Sequence, residues 1–206
     1  MKKIFFLLIG LPLILIACIN LKNPGDKVEF YTLEYNPPVI SDLKPLSHII
    51  RLDRFSVSPI YNTDRIIYRD GSFKRDTYFY HKWRANPGDL VTYFLARDIR
   101  ASGLFSAVIE NDSKLPSSYL VEGSVDEFYE RDAEDKWEAV LSIGITLMAE
   151  REPDISKRVI FQKTYRVAEP CSQKNPRALI EAMSTAMSKI SSDIIKDIYH
   201  SLENRD

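Results

Sequence analysis

The sequence predicts an α+β domain in two layers, a mixed or antiparallel sheet covered on one face by two amphipathic helices. Three observations carry this expectation. Two stretches opened by Asn-Pro, at Asn86-Pro87 and Asn175-Pro176, place apolar residues at helical spacing. Residues 137–149 alternate, with Trp137, Ala139, Leu141, Ile143, Ile145, Leu147 and Ala149 on one side. Their other side is mostly small or polar (Glu138, Ser142, Gly144, Thr146, Glu150), as in a sheet with one face covered.

In chain order, residues 28–35 (VEFYTLEY) alternate and stop at Pro37-Pro38, which reads as a strand closed by a breaker. Residues 48–60 form a second extended segment, and Pro59 puts its end at an edge or a bend. Residues 65–69 are short and β-prone, Asp70-Gly71 is a turn signal, and the aromatic run 78–83 follows, so the pair reads as a hairpin. Asn86 can cap the next helix, Pro87 suits its first turn, and Asp89 lies near the positive end of its dipole. Leu90, Val91, Phe94, Leu95 and Ile99 share one face, and Gly103 supplies a left-handed stop. Residues 105–110 are a short strand and 111–118 a loop. Residues 119–129, 137–149 and 159–168 then make a meander, separated by RDAED and REPDISK. The last helix carries Leu179, Met183, Ala186, Met187, Ile190, Ile194 and Ile198 as its apolar stripe and runs to about Tyr199.

The chain has 206 residues, 45% apolar and 28% charged, which fits one globular domain. A formal charge of −1 gives no electrostatic grip on nucleic acid. The first residues are a targeting segment. Lys2 and Lys3 precede an apolar run at 4–16, too short to span a bilayer. Leu15-Ile16-Ala17-Cys18 follows, the pattern of a lipobox, in which a signal peptide is cut before a cysteine that carries lipid. The chain therefore divides into a signal peptide (1–17), a lipidated tether (18–27) and one domain (28–206). Cleavage removes two lysines and no acid, so the mature charge becomes −3. Residues 20–27 span at most about 29 Å, keeping the domain near its membrane. Ile19, not Asp, follows the cysteine, which by the enteric sorting rule favours the outer membrane. With Cys18 lipidated, Cys171 has no intrachain partner, and it reads as a passive thiol near a helix start.

Catalytic and metal-binding patterns are missing from the sequence. His48, His81 and His200 lack ligand spacing, and there is no HExxH, CxxC, GxSxG or Walker loop, so neither a catalytic residue nor a metal or other cofactor is expected. Asp126, Glu127, Glu130, Asp132, Glu134 and Asp135 read as a solvated hairpin tip. The aromatic cluster around Tyr68, Tyr78, Tyr80, His81 and Trp83 is the candidate partner surface, because Tyr, Trp and Arg are common interface anchors. Alternation puts Tyr78 and Tyr80 on one face and Phe79, His81 and Trp83 on the other, one set being core.

Several stretches together, YTLEYNPP, LDRFSVSPIYNTDRIIYRD, YHKWRANPGDLVTYFLARDIRASGLFSAV, LVEGSVDEFYE and EAMSTAMSKISSDIIKDIY, resemble the ABC-type transport auxiliary lipoprotein component family (PqiC-like) from about residue 30 to 199. The resemblance implies a non-enzymatic, lipid-anchored periplasmic component of a lipid-transport system. Its partners would be an MCE-domain protein and an ABC transporter complex, and its anchor acyl chains, palmitate among them, on Cys18. It brings no active site to carry over. A homo-oligomer matching ringed partners is compatible with it. The alternatives are an outer-membrane lipoprotein that binds and regulates a cell-wall enzyme, and a hydrolase with an unrecognised site.

Overall fold

A computed structural model describes residues 27–71, 73–133 and 136–205; the signal segment, Cys18 and the tether up to residue 26 lie outside it. The sheet is organised by one long strand, β7 (Tyr119–Ala133). It pairs antiparallel with β8 (Lys136–Ala149) from Tyr119 opposite Ala149 to Ala133 opposite Lys136. β8 pairs in turn with β9 (Val159–Pro170), which completes the expected meander. Three short strands share the other edge of β7, all parallel to it. β2 (Leu46–Leu52) lies opposite residues 119–121, β3 (Ser56–Val57) opposite 124–125 and β4 (Arg65–Asp70) opposite 130–132. Beyond β2 lies β6 (Phe105–Glu110). Beyond β4 lie β5 (Asp76–Trp83) and then β1 (Glu29–Tyr31). The nine-stranded sheet is mixed and forks into two branches, β2–β6 and β4–β5–β1.

Both long helices lie on one face. In α1 (Pro87–Ala101) the Asn86 side chain accepts from Gly88 N at 2.9 Å, Pro87 opens the first turn and Gly103 ends the run at φ +65°. Its five apolar residues, Leu90 to Ile99, are all buried. In α3 (Pro176–Leu202) Asn175 accepts from Ala178 N at 2.9 Å, and the stripe from Leu179 to Ile198 is buried. α3 packs on β8 and β9, and α1 on β6, β7 and α3. Beneath them Ala139, Leu141, Ile143, Ile145 and Leu147 of β8 are buried, as their alternation predicts. A one-turn helix, α2 (Ile155–Arg158), sits exposed before β9, with Asp154 as its cap. No helix among the described residues is long and apolar enough to cross a membrane.

Several boundaries differ from the sequence reading. Only Glu29–Tyr31 of residues 28–35 is strand. Past Tyr31 the chain runs alongside the two long helices, burying Leu33, and its backbone groups find side chains in place of a strand partner. Glu34 N donates to Ser184 Oγ at 3.0 Å, and Arg97 donates to Tyr35 O at 3.1 Å. Residues 48–60 split into β2 and β3, because the chain between them bends to pass between β7 and the start of α1. There Phe55 N donates to Thr92 Oγ1 (2.9 Å), and Arg54 grips Asp89 through two bonds of 2.5 and 3.0 Å. Glycine is needed on both sides of this passage. A Cβ on Gly123 would stand 2.3 Å from the Phe55 ring, and one on Gly88 2.6 Å from the Phe55 carbonyl oxygen. β7 runs on to Ala133, beyond the expected end at residue 129, and α3 reaches Leu202, whose side chain is buried.

β7 also changes parity. Its register with β8 shifts between Val125 and Glu127, a bulge that moves each later residue by one place. Tyr119, Val121 and Val125 face the helices before it, and Phe128 and Glu130 after it; opposite these are Leu141 and Ala139. The acidic run is therefore not one solvated tip. Asp126 to Asp132 are in the strand, Glu127 pairs with Arg166, Asp132 with Lys174, and Glu130 is 1% exposed; Glu134 and Asp135 lie outside the described residues.

Candidate interaction surface

The predicted partner residues all fall on the β4–β5 branch, but regular alternation does not divide them. Tyr68 lies opposite Asp76, Ile67 opposite Thr77 and Arg65 opposite Lys82, so two steps along β4 face five along β5. The extra residues rotate the strand midway. Tyr78 and His81, expected on opposite faces, bring their rings to 5.8 Å, while Phe79 and Tyr80, also expected apart, both emerge into solvent with rings at 4.8 Å. Trp83 is core, edge-on to Phe128 at 4.9 Å. Tyr68 leans on Tyr78 (5.3 Å). Of the five candidates, Tyr80 is the exposed ring, while Tyr68, Tyr78 and His81 are half-buried.

The half-buried rings serve an internal network. Tyr78 donates its hydroxyl to the Glu130 carboxylate at 2.9 and 3.1 Å, and Trp137 Nε1 donates to the same group. Burial raises the Glu130 pKa, and the two donated bonds offset only part of that rise. The Tyr78 hydroxyl is pushed up by burial and then by Glu130. Cys171 sits beside this group, its thiol raised to about 12 by burial and then by the Glu130 charge. A thiol so raised stays protonated at neutral pH. His81 lies between Tyr31 and Tyr78, with Nδ1 3.3 Å from both the Tyr31 hydroxyl and Glu29. The Tyr31 hydroxyl is raised to about 12, by burial first and then by its bond to Glu29.

At the far end of β5 a groove of about 550 Å³ opens between residues 32–35 and α1, with Leu33, Tyr35, Arg84, Leu90, Tyr93 and Arg97 on its walls. Asp98, fully buried, is held by Arg97 at 2.7 Å and by the Tyr35 hydroxyl at 2.7 Å. The Arg97 guanidinium in turn covers the Tyr35 and Phe94 rings at 4.4 and 4.6 Å. His48 is buried against Tyr119, and His200 is exposed on α3. Among the described residues, no three His, Cys, Asp or Glu side chains are grouped so as to hold a metal.

Of the rings that reach solvent, sequence reasoning chose Tyr80 as a candidate and passed over four others. Phe73 is 95% exposed, Phe79 70%, Tyr93 63% and Phe30 52%. Tyr93 was legible, since it falls off the apolar stripe of α1. Phe73 was legible too, as the one apolar residue beside the Asp70-Gly71 turn.

The fold defines a two-layer α+β domain with a forked mixed sheet, its exposed rings gathered on one branch and beside α1. The chain belongs to the family of ABC-type transport auxiliary lipoprotein components, whose model matches residues 31–195. As a member it is a lipoprotein held at a membrane of the cell envelope, and an accessory of an ABC-type transporter. The fold is similar to that of protein XCC0632 from Xanthomonas campestris, at 18% identity and TM-score 0.77, covering 85% of this chain and 97% of that one. It is also similar to the hypothetical protein CT253 from Chlamydia trachomatis, at 8% identity and TM-score 0.56, covering 76% and 98%. At these identities the likeness is one of fold. None of the curated proteins matches the chain.

Proposed function

We propose that the protein is a lipid-anchored docking component of an intermembrane lipid-transport system, joining an MCE-domain partner and its ABC transporter to the outer membrane. The observation that carries this reading is the family match over residues 31–195 together with the lipobox ending at Cys18. The protein works by position. Two or three acyl chains on Cys18 make residence in a bilayer stable, where one chain would give only marginal binding. Ile19 after the cysteine supports the outer membrane as the destination. The groups gathered on the β4–β5 branch and beside α1 suit binding, not bond cleavage: rings, a buried carboxylate already bonded to two donors, and a thiol held protonated.

Two measurements test the reading. Tagged protein purified from detergent-solubilised envelopes brings down an MCE-domain protein and an ABC permease. Recovery of penicillin-binding proteins instead would favour the cell-wall alternative. Cys18→Ser leaves the protein unacylated, with its signal peptide retained or as a soluble form. Normal acylation and sorting of that variant would refute the anchor.

A further inference from the structure

We propose that the tip of the β4–β5 hairpin, Phe73 with Lys74 and Arg75, enters the headgroup layer of the same bilayer that holds the protein's acyl chains, and that this bilayer is anionic. The inference rests on the reading of Cys18 as the lipidated residue.

The first support is the chemistry of the tip. Phe73 is the most exposed of the large apolar residues described, at 95%. Lys74 and Arg75 beside it are exposed and make no ion pair with a described residue. A ring flanked by two cations suits a membrane interface, where the ring sits at headgroup level and each cation is drawn to an anionic surface. The carboxylates of Asp70 and Asp76 end the two strands behind the tip, and Asp76 accepts from Thr77 N at 2.8 Å.

The second support is where the tether arrives. β1 runs parallel to β5, with Glu29 opposite His81 and Tyr31 opposite Trp83. The chain therefore reaches β1 from the end of the branch that carries the hairpin tip. Three steps along β4, from Arg65 to Tyr68, cover β5 from Lys82 back to Asp76, about 10 Å along the sheet, and the turn lies a few residues farther, about 15–20 Å from Glu29. Eleven residue steps separate Cys18 from Glu29. As a flexible coil they span about 17–20 Å, and fully extended about 36–40 Å. The hairpin tip and the anchor can thus lie in one plane without stretching the tether. Phe79 is exposed partway along β5, whereas Phe30 lies opposite Lys82 with the Arg84 guanidinium over its ring at 5.6 Å. The groove beside α1 lies at the other end of β5 and would face away from the bilayer.

The test uses the acylated protein in vesicles of phosphatidylethanolamine and phosphatidylglycerol that contain doxyl-labelled lipid. Phe73→Trp and Tyr93→Trp are compared after subtracting the parent signal of Trp83 and Trp137. The Phe73→Trp emission should shift to the blue and be quenched several-fold more than that of Tyr93→Trp. Adding Lys74→Glu and Arg75→Glu should abolish most of this quenching while the protein still floats with the vesicles. Flotation without preferential quenching at position 73 overturns the hairpin proposal and leaves the anchor intact. Equal quenching at both positions also overturns it. Failure of the acylated preparation to float refutes the anchor, and the hairpin proposal falls with it.

Discussion

Replacing Glu130 separates the cost of its charge from the value of its bonds. Its side chain is 1% exposed and accepts from Tyr78 and Trp137. Burial raises its pKa, so the folded protein keeps a proton that the unfolded chain has already lost. In the window between the ordinary carboxylate value and the raised one, stability falls as pH rises, by at most about 1.4 kcal/mol per pH unit. Below that window both states are protonated and the penalty vanishes. Glu130→Gln keeps a carbonyl acceptor and has no charge to bury. It should match or exceed the parent in stability at pH 7, and the parent should gain on it as the pH falls through that window, levelling off below the ordinary carboxylate value. Glu130→Ala strands two buried donors at about 1–3 kcal/mol each, so it should stand about 2–6 kcal/mol below Glu130→Gln at any pH. Urea unfolding from pH 4 to 8 reads all three proteins, and groups common to parent and variant cancel in the difference. If Glu130→Gln loses as much as Glu130→Ala at pH 7, or if its difference from the parent does not change with pH, the reasoning is wrong.

Two other sites yield independent expectations. Gly123→Ala would force its new methyl into the Phe55 ring at 2.3 Å, for a cost of about 1–3 kcal/mol in thermal or denaturant unfolding. Phe55→Leu in the same chain should return part of that cost, and a simple sum of the two losses would show that the contact is not the cause. Asp197 has the opposite pH sign to Glu130. Burial would raise its carboxyl, but donation from Lys163 (2.5 Å) and the Tyr165 hydroxyl (2.6 Å) holds it below the usual value. Its contribution is therefore present at neutral pH and is lost as the pH falls through the lowered pKa. Asp197 is partly exposed, so Asp197→Asn should cost only about 1 kcal/mol at pH 7, and urea unfolding at successively lower pH should show that cost shrinking as the carboxyl takes up its proton.

Where information is local, the sequence was readable. Asn86-Pro87, Asn175-Pro176 and Gly103 mark helix ends by capping and backbone chemistry that needs no distant partner, and the structure places the helix ends beside them. β6 has the predicted bounds, and the core face of β8 follows from alternation along an unbroken strand. Side-chain direction was lost where the ladder is irregular. The bulge after Val125 turns Glu130 inward, and the uneven pairing of β4 with β5 sends Phe79 and Tyr80 out together. No residue type at those positions announces the shift. The order of the fork was equally hidden, because parallel pairing of β2, β3 and β4 with β7 leaves no turn signature. The gathering of rings on the β4–β5 branch was visible in its aromatic density, but the division between inner and outer rings was not.

The crowded edge of β7 sets a timetable for the nascent polypeptide. β2, β3 and β4 wait for partners that lie 62 to 69 positions downstream. A chain delivered amino-terminus first must hold Ile50, Leu52 and Ile66 uncovered until those residues arrive. On the proposed anchor, acyl transfer at Cys18 would take place on an open chain, and a holdase that shields greasy segments would be the natural escort for the interval before the ladder closes.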